Sequence, residues 1–425
     1  MKKINIITLG CAKNIVDTEH LAGALSHGYE VVFDSETLDS QIVVINTCGF
    51  ILDAKQESID MILRAVQARE SGQIEKLYVM GCLSERYADD LRSEIPEVDQ
   101  FFGVNDFSKI LEQLGAADSK KSRKLTTPSH YAYLKISEGC AWRCGYCAIP
   151  LIRGAHRSVP FDDLVAEARS LALGGVKELI VIAQDTTFYG KDLYGRRRLA
   201  ELLSALCGIE GIEWIRLHYT YPAGFPDDVI EVISREKKIC RYIDIPFQHI
   251  SDNVLSAMHR QITKAETLAL IEKLRSKIPG LAIRTTLLVG YPGESEADFD
   301  ELLDFVRHEK IDRLGVFPYS AEEGTFSADN LVDDVPPEVK QQRAERVMRT
   351  QEDIALAANE NKVGQCFRVI IDRCEGDYYV GRTEFDSPEV DPEVLISGGK
   401  ELKIGDFYEI KVTSVDQYDI FGEIL

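Results

Sequence analysis

No apolar run in the 425 residues approaches the ~20 that a bilayer-spanning helix needs. The longest, such as the Glu-Leu-Ile-Val-Ile-Ala stretch at 178–183, are strand length. The opening Met1-Lys2-Lys3-Ile4 has two lysines without an apolar signal core or a cleavage site, so a soluble, cytoplasmic protein with no membrane partner is expected. Cysteine is sparse. Ten in a chain this long are too few for a disulfide scaffold, and in a reducing compartment they point to metal or redox use. Positive charge is in deficit, with 49 Lys and Arg against 70 Asp and Glu and a net of −21. Such a surface repels phosphate backbones and attracts basic partners, although a local basic groove stays compatible with it. No side chain stands out as a general acid or base.

What the chain does have is a concentration of thiols. Cys140, Cys144 and Cys147 lie within eight residues, spaced C-x3-C-x2-C, directly after the strand-like run 131–137. Full cysteine ligation of a [4Fe–4S] cube takes four thiolates; three leave one iron open for a substrate or cofactor. A structural zinc site wants a closed tetrahedron, usually from two separated pairs, and no second pair follows. Chance clustering of buried cysteines is the remaining reading.

Residues 1–118 read as alternating strands and helices. Strands are expected at 4–8, 30–33, 42–46 and 77–80, and helices at 15–26, 54–68, 85–95 and 108–114. Continuous β-branched runs between amphipathic segments argue an α/β doubly wound parallel sheet covered on both faces. Three of the strands end in a cysteine: Cys11, Cys48 and Cys82. Ligands gather outside the carboxyl ends of such strands, so three thiols from three strand ends would converge on one crevice as a second three-thiolate cluster. Three ordinary buried cysteines are the alternative. The adjacent Gly10, Gly49 and Gly81 suit close backbone approach.

Residues 119–130 are polar and basic and include Pro128, and they read as a solvated linker. Between 131 and about 320, six strands are expected at 132–137, 178–183, 214–219, 242–247, 282–289 and 313–319, with helices at 161–173, 199–207, 263–277 and 296–308. That pattern argues a partial (β/α)6 barrel or a sheet of similar winding. Polar residues stand where strands end, at the edge where barrel sites form: Glu138, Gln184, Asp185, His218, Gln248, His249 and the run Gly290–Glu294. Cys207 and Cys240 read as core thiols. A long helix is expected from Pro337 to about Asn361. Residues 362–425 then switch to short alternating runs that read as a small five-stranded antiparallel barrel of OB type, with Cys366 and Cys374 structural.

With these motifs in view, the chain resembles the radical S-adenosylmethionine (SAM) methylthiotransferases over nearly its whole length. The stretches that carry the resemblance are 136–140, 148–150, 153–154, 183–185, 244–249, 258–260 and 284–294. It implies that Cys140, Cys144 and Cys147 hold a SAM-cleaving [4Fe–4S] cluster, with Tyr146 beside the adenine. It implies that Cys11, Cys48 and Cys82 hold an auxiliary [4Fe–4S] cluster, and that Gln184, Asp185, Gln248 and Arg284 face SAM or the substrate. The tail resembles a TRAM domain, a module often associated with RNA. An external electron donor and a sulfur source are implied as partners.

Residues 363–425 carry six Lys and Arg against fourteen Asp and Glu, a net of −8. An RNA-binding barrel needs a basic groove, and none is apparent. So acidic a surface suits a basic protein. The run 379–391 also resembles the branch of the family that modifies an aspartate β-carbon in a basic small-subunit ribosomal protein. Two alternatives stay open: a tRNA adenosine methylthiotransferase of the same architecture, and a non-catalytic iron–sulfur or zinc scaffold that binds ribosomal proteins.

Overall fold

The computed structural model describes residues 1–116, 123–397 and 401–425. The chain packs as two compact units. Unit 1 comprises Met1–Thr127, Glu138–Trp142 and Cys147–Arg157; unit 2 comprises Pro128–Ser137, Arg143–Tyr146 and Ser158–Leu425.

Unit 1 is built on strands β1 (Lys2–Thr8), β2 (Tyr29–Phe33), β3 (Ile42–Thr47), β4 (Lys76–Gly81) and β5 (Gln100–Phe102). They pair in parallel in the order β2-β1-β3-β4-β5, the doubly wound arrangement expected. All six residues of β3 are buried. Because side chains alternate along a strand, Val43 and Ile45 pack with Ile62 and Ala65 of the helix Leu52–Glu70. Val44 packs with Leu21 and Leu25 of the helix Ala12–Leu25 on the opposite face. Each such aliphatic side chain contributes about 1.5–3 kcal/mol on burial, and the polar residues of the strand, Asn46 and Thr47, come only at its carboxyl end.

Three expectations need correction. The helix expected at 85–95 is two, Cys82–Arg86 and Ala88–Glu94, parted at Tyr87, whose φ of −125° and ψ of 33° leave the helical region. Strand β5, three residues long, is too short to show a period. The linker is not simply solvated. Residues 119–122 lie outside the described residues, but Arg123 donates to buried Glu19 from Nε (2.8 Å) and Nη2 (2.6 Å), and the Thr126 amide reaches the other oxygen at 2.7 Å.

In unit 2, β6 spans Tyr131–Lys135. The two-residue strands β7 (Ser137–Glu138) and β8 (Arg157–Ser158) flank the thiol loop in sequence. Then come β9 (Glu178–Ile182), β10 (Trp214–Leu217), β11 (Ile239–Asp244), β12 (Ala282–Val289) and β13 (Arg313–Pro318). The sheet order is β13-β12-β11-β10-β9-β6, all parallel, with helices between successive strands, as a partial (β/α)6 barrel requires. Capping boxes start two of these helices, Thr263 with Glu266 and Ser295 with Asp298. The helix Pro337–Glu360 follows, and Gln351 donates from it to the Ile311 carbonyl at 2.9 Å.

The last five strands are β14 (Cys366–Glu375), β15 (Tyr378–Thr383), β16 (Val394–Ser397), β17 (Phe407–Val415) and β18 (Ile420–Ile424). They close as β14-β15-β16-β18-β17 around Val369, Ile371, Ile396, Ile410 and Val412. One pair, β16 with β18, is parallel, so the barrel is not purely antiparallel. Cys366 and Cys374 are exposed on β14 rather than structural, and Cys207 is only half-buried; Cys240 is the core thiol expected.

This barrel is fastened to the sheet of unit 2 by buried charge. Glu178, the first residue of β9, accepts from Arg216 Nε and Arg382 Nη2, both at 2.8 Å. Arg382 also donates to Asp372 from Nε at 2.6 Å, and His130 Nε2 meets the same carboxylate at 2.7 Å. Trp214 and Phe407 pack edge to face, ring centroids 4.8 Å apart. Among the described residues no helix is long and apolar enough to cross a membrane.

Removing one partner of a fully buried pair leaves uncompensated charge, so Glu178→Gln is expected to cost about 3–5 kcal/mol in denaturant unfolding. Burial opposes ionisation of Glu178, Asp372 and Asp386, yet arginines hold all three below the ordinary carboxylate range. Their stabilisation is therefore complete above the unfolded value near pH 4 and is lost as pH falls through the folded-state values. A stability profile that stays flat down to about pH 3 would contradict this network.

Candidate functional site

In unit 1 the crevice lies at the carboxyl ends of β1, β3 and β4. Cys11 follows β1, Cys48 follows β3 and Cys82 follows β4. Gly10 has φ +91°, and a Cβ there would stand 2.7 Å from Cys48 Cβ and 3.0 Å from its Sγ. A Cβ at Gly49 would meet the Leu83 backbone at 2.8 Å and Cys82 at 2.9 Å. Two of the three glycines therefore permit thiol-bearing turns to touch. Cys82 Sγ donates to Asn14 Oδ1 at 3.8 Å, and Asn14 Nδ2 donates to the carbonyls of Leu9 (2.8 Å) and Thr47 (3.1 Å), tying β1 to β3. Burial pushes the Cys82 thiol up to about 12, against the pull of Arg153, and Cys11 and Cys48 add to the rise. Burial also raises Cys48, with Cys11 contributing. The three thiols thus share one electrostatic environment. Among the described residues, no group of three or more His, Cys, Asp or Glu side chains closes into a cage for a single metal ion.

Arg153 supplies the positive charge there. It is buried, donates from Nη2 to Asn14 Oδ1 at 2.6 Å, and straddles both oxygens of Glu138 from Nη1 at 3.0 Å. Burial works against its charge, but Asp17, Glu138, Cys82 and Cys11 hold it firmly protonated. Glu138, expected at a strand edge facing the site, is instead the anchor for this guanidinium.

The thiol loop is shared by the two units: Cys140 and Cys147 belong to unit 1, Cys144 and Tyr146 to unit 2. In unit 1 the Cys140 amide donates to the Gly154 carbonyl at 3.1 Å. That approach needs Gly139, where φ is +71° and a Cβ would collide with the Ala155 carbonyl oxygen at 2.2 Å. In unit 2, Cys144 Sγ lies 3.8 Å from Tyr221 Oη and 3.8 Å from Arg260 Nη1, with that guanidinium stacked on the Tyr221 ring at 4.3 Å. Tyr146 packs with Met258, Leu288, Tyr291 and Tyr319.

The expected strand-edge residues of unit 2 divide. Tyr219, Gln248 and His259 hold left-handed backbone (φ +54°, +71° and +55°) although none is glycine, the kind of strain that collects at functional edges. Gln248 is pinned to β12 from its amide to the Thr286 carbonyl (2.9 Å) and from its carbonyl to Leu288 (2.7 Å). Arg284 donates to Asp244 at 3.1 Å and lies 3.3 Å from Asp391. Burial pushes the Asp391 carboxyl up, against the pull of Arg284 and Arg313. Gln184 is half-buried, and Asp185 is buried and accepts from the Thr187 amide (2.8 Å) and hydroxyl (2.6 Å). His249 is fully buried and pushed down to about 3 by burial, so it is a neutral core imidazole accepting from the Ser251 amide. Glu294, raised to about 7 by burial, takes Arg343 at 2.9 Å.

Comparison with known proteins places this geometry. A radical SAM superfamily model matches residues 134–306, a model of the uncharacterized protein family UPF0004 matches 3–103, and a TRAM domain model matches 363–425. The ribosomal protein uS12 methylthiotransferase RimO of Phocaeicola vulgatus is 53% identical over 427 residues, covering 99% of each chain. That of Flavobacterium johnsoniae is 55% identical over 428 residues, covering 99% of this chain and 98% of the relative. The chain belongs to the RimO family. Among solved structures, the radical SAM methyltransferase TsrM of Kitasatospora setae superposes with a TM-score of 0.57 at 14% identity, covering 74% of this chain and 73% of that one, a likeness of fold alone.

Membership of the radical SAM superfamily carries with it an iron–sulfur cluster and SAM. Thiol donors suited to iron are present in both units, with Arg153 acting on Cys48 and Cys82 in unit 1 and Arg260 lying 3.8 Å from Cys144 in unit 2. Arg153 and Arg260 were quoted within motif stretches but given no role by the sequence. Their signal was position next to a glycine or a histidine in those stretches, and only the packing showed each facing a thiol.

The thiol surroundings predict an order of reactivity in the metal-free, reduced chain. Thiolate is the nucleophile, and a raised thiol pKa leaves little of it near pH 8. Exposed Cys11, Cys366 and Cys374 are expected to alkylate at least about tenfold faster than buried Cys48 and Cys82, with the latter pair accelerating as pH rises. Peptide mapping by mass spectrometry reads this directly; equal rates for Cys11 and Cys82 would refute the buried placement.

Proposed function

We propose that the chain transfers a methylthio group to the β-carbon of an aspartate in ribosomal protein uS12. What carries this reading is identity above 50%, over essentially the full length, to proteins named for that activity. By sequence pattern and family motif we divide the chain into 1–118, which would hold the auxiliary cluster on Cys11, Cys48 and Cys82, a linker at 119–130, a radical-SAM domain at 131–361 with Cys140, Cys144 and Cys147, and a TRAM domain at 362–425. Two [4Fe–4S] clusters, each with an open iron, would supply the electron that cleaves SAM and the site that holds the sulfur.

The chain's own residues do the rest. Arg153 and Arg260 each place a fixed cation against a thiol group, which favours the thiolate form that ligates metal. Tyr146 offers an aromatic face, and by family motif Gln184, Asp185, Gln248 and Arg284 would face SAM or substrate. Substrate choice has a second support in the C-terminal barrel. Among its described residues Arg368, Arg373, Arg382 and Lys403 each meet a carboxylate, which disfavours an open basic groove for RNA. An electron donor and a sulfur source come from outside the chain.

The test is an anaerobic split assay. Reconstituted enzyme with SAM, sulfide and a reductant is offered ribosomal proteins in one vessel and unmodified tRNA in another. A methylthio-sized mass gain on one basic ribosomal protein is expected. Cys48→Ala should abolish it and remove about half of the roughly eight irons per chain while SAM cleavage persists. Gain on tRNA alone would reverse the substrate assignment, and zinc without iron would end the mechanism.

A further inference from the structure

Residues 383–391, which lead from the end of β15 toward β16, are the latter part of the run 379–391 that resembles one substrate branch of the family. Its polar side chains turn inward. Asp386 accepts from Arg313 of β13, and Ser387 Oγ meets His218 Nε2 at 2.8 Å at the end of β10. Asp391 Oδ2 accepts from Tyr242 of β11 at 2.7 Å, and its Oδ1 lies 3.3 Å from Arg284 Nε on β12. Glu389, held at φ +69°, is reached by Tyr131 of β6 at 3.4 Å. The segment therefore runs beneath the sheet of unit 2, where Asp244, Arg284 and Arg313 are cross-strand neighbours.

Arg284 differs from the other buried cations of this layer. Its two carboxylate partners, Asp244 and Asp391, are 1% and 2% exposed, while its own side chain is 21% exposed. On β12 it shares a face with Thr286 and Leu288, all half-buried between fully buried neighbours. Leu288 packs in the group that contains Tyr146, about 13 Å further along the strand at ~3.3 Å per residue. So the guanidinium looks into the same half-open face as the aromatic of the thiol loop, and two anions from behind fix its plane.

We propose that Asp391, contributed by the C-terminal barrel, is a positioning residue that holds Arg284 for SAM, so that this barrel completes the site. The inference rests on the reading that Arg284 faces SAM. Without Asp391 the guanidinium keeps one flanking carboxylate instead of two and is free to collapse onto Asp244, its hydrogen-bond partner.

The experiment uses the full-length reconstituted chain and reads the SAM dissociation constant by calorimetry, KM and kcat for SAM cleavage, and the melting temperature. Asp391→Asn is expected to weaken SAM binding and raise KM about five- to tenfold, the loss of one charge-assisted contact acting at second hand, with kcat within about twofold. Arg284→Lys should weaken binding at least as much, and the double variant should be no weaker than Arg284→Lys alone. Asp386→Asn, which loosens the same segment through Arg313, should lower the melting temperature and leave SAM affinity alone. If Asp391→Asn fails to fold, Tyr242→Phe, which removes the phenol orienting the same carboxylate, should weaken SAM about two- to threefold. Equal melting losses in Asp391→Asn and Asp386→Asn with unchanged affinity would make the segment glue only and overturn the inference while leaving Arg284 in place. Additive losses in the double variant would overturn it too, and an unchanged affinity in Arg284→Lys would overturn both the inference and the reading beneath it.

Discussion

A parallel sheet buried on both faces leaves only its edges for chemistry, and both units of this chain obey that constraint. The faces of β3 are closed by aliphatic packing on either side, so Cys48 could not project from the strand itself without opening the core. It stands where the strand stops. The same holds for Cys11 and Cys82, and it is why glycines precede or follow these thiols: the backbone must turn sharply within van der Waals reach of the neighbouring turn.

Charge inside the molecule is organised around anions that need cations nearby. Buried Arg153 serves thiols in unit 1, and Arg260 serves Cys144 in unit 2. In the metal-free chain burial raises the Cys48 and Cys82 thiols and outweighs the one guanidinium. A metal bound on these two thiols would displace protons, which would couple its binding to pH. The Glu178, Arg216 and Arg382 group follows a different logic. Desolvating three charges gains little net stability, but it rejects any docking of the C-terminal barrel that leaves one of them unpaired.

The acidic tail shows how composition misleads about surface. Fourteen Asp and Glu suggested a docking face, yet Asp386 and Asp391 point at arginines of the sheet and Asp372 at Arg382 of the barrel itself. The remaining surface is still acidic, so complementarity to a basic protein survives the correction. What changes is the meaning of residues 383–391, whose character comes from an internal fit.

Local pattern was enough for much of this protein. Residues 282–289 form a strand at the expected bounds, and the helices at 161–173 and 199–207 match as well, because period and caps act over a few residues. The cysteines that follow β1, β3 and β4 were placed at strand ends for the same reason: position along the chain is written in sequence order. Tertiary structure alone decided what each polar residue faces. Glu138 and His249 look alike at strand ends, but one anchors a guanidinium and the other is a neutral core imidazole. Arg123, in an apparently solvated linker, is clamped to a buried glutamate, and Asp391 reaches Arg284 across more than a hundred residues. Charge pairing depends on distance in space and on burial, and neither is encoded in the spacing of residues along the chain.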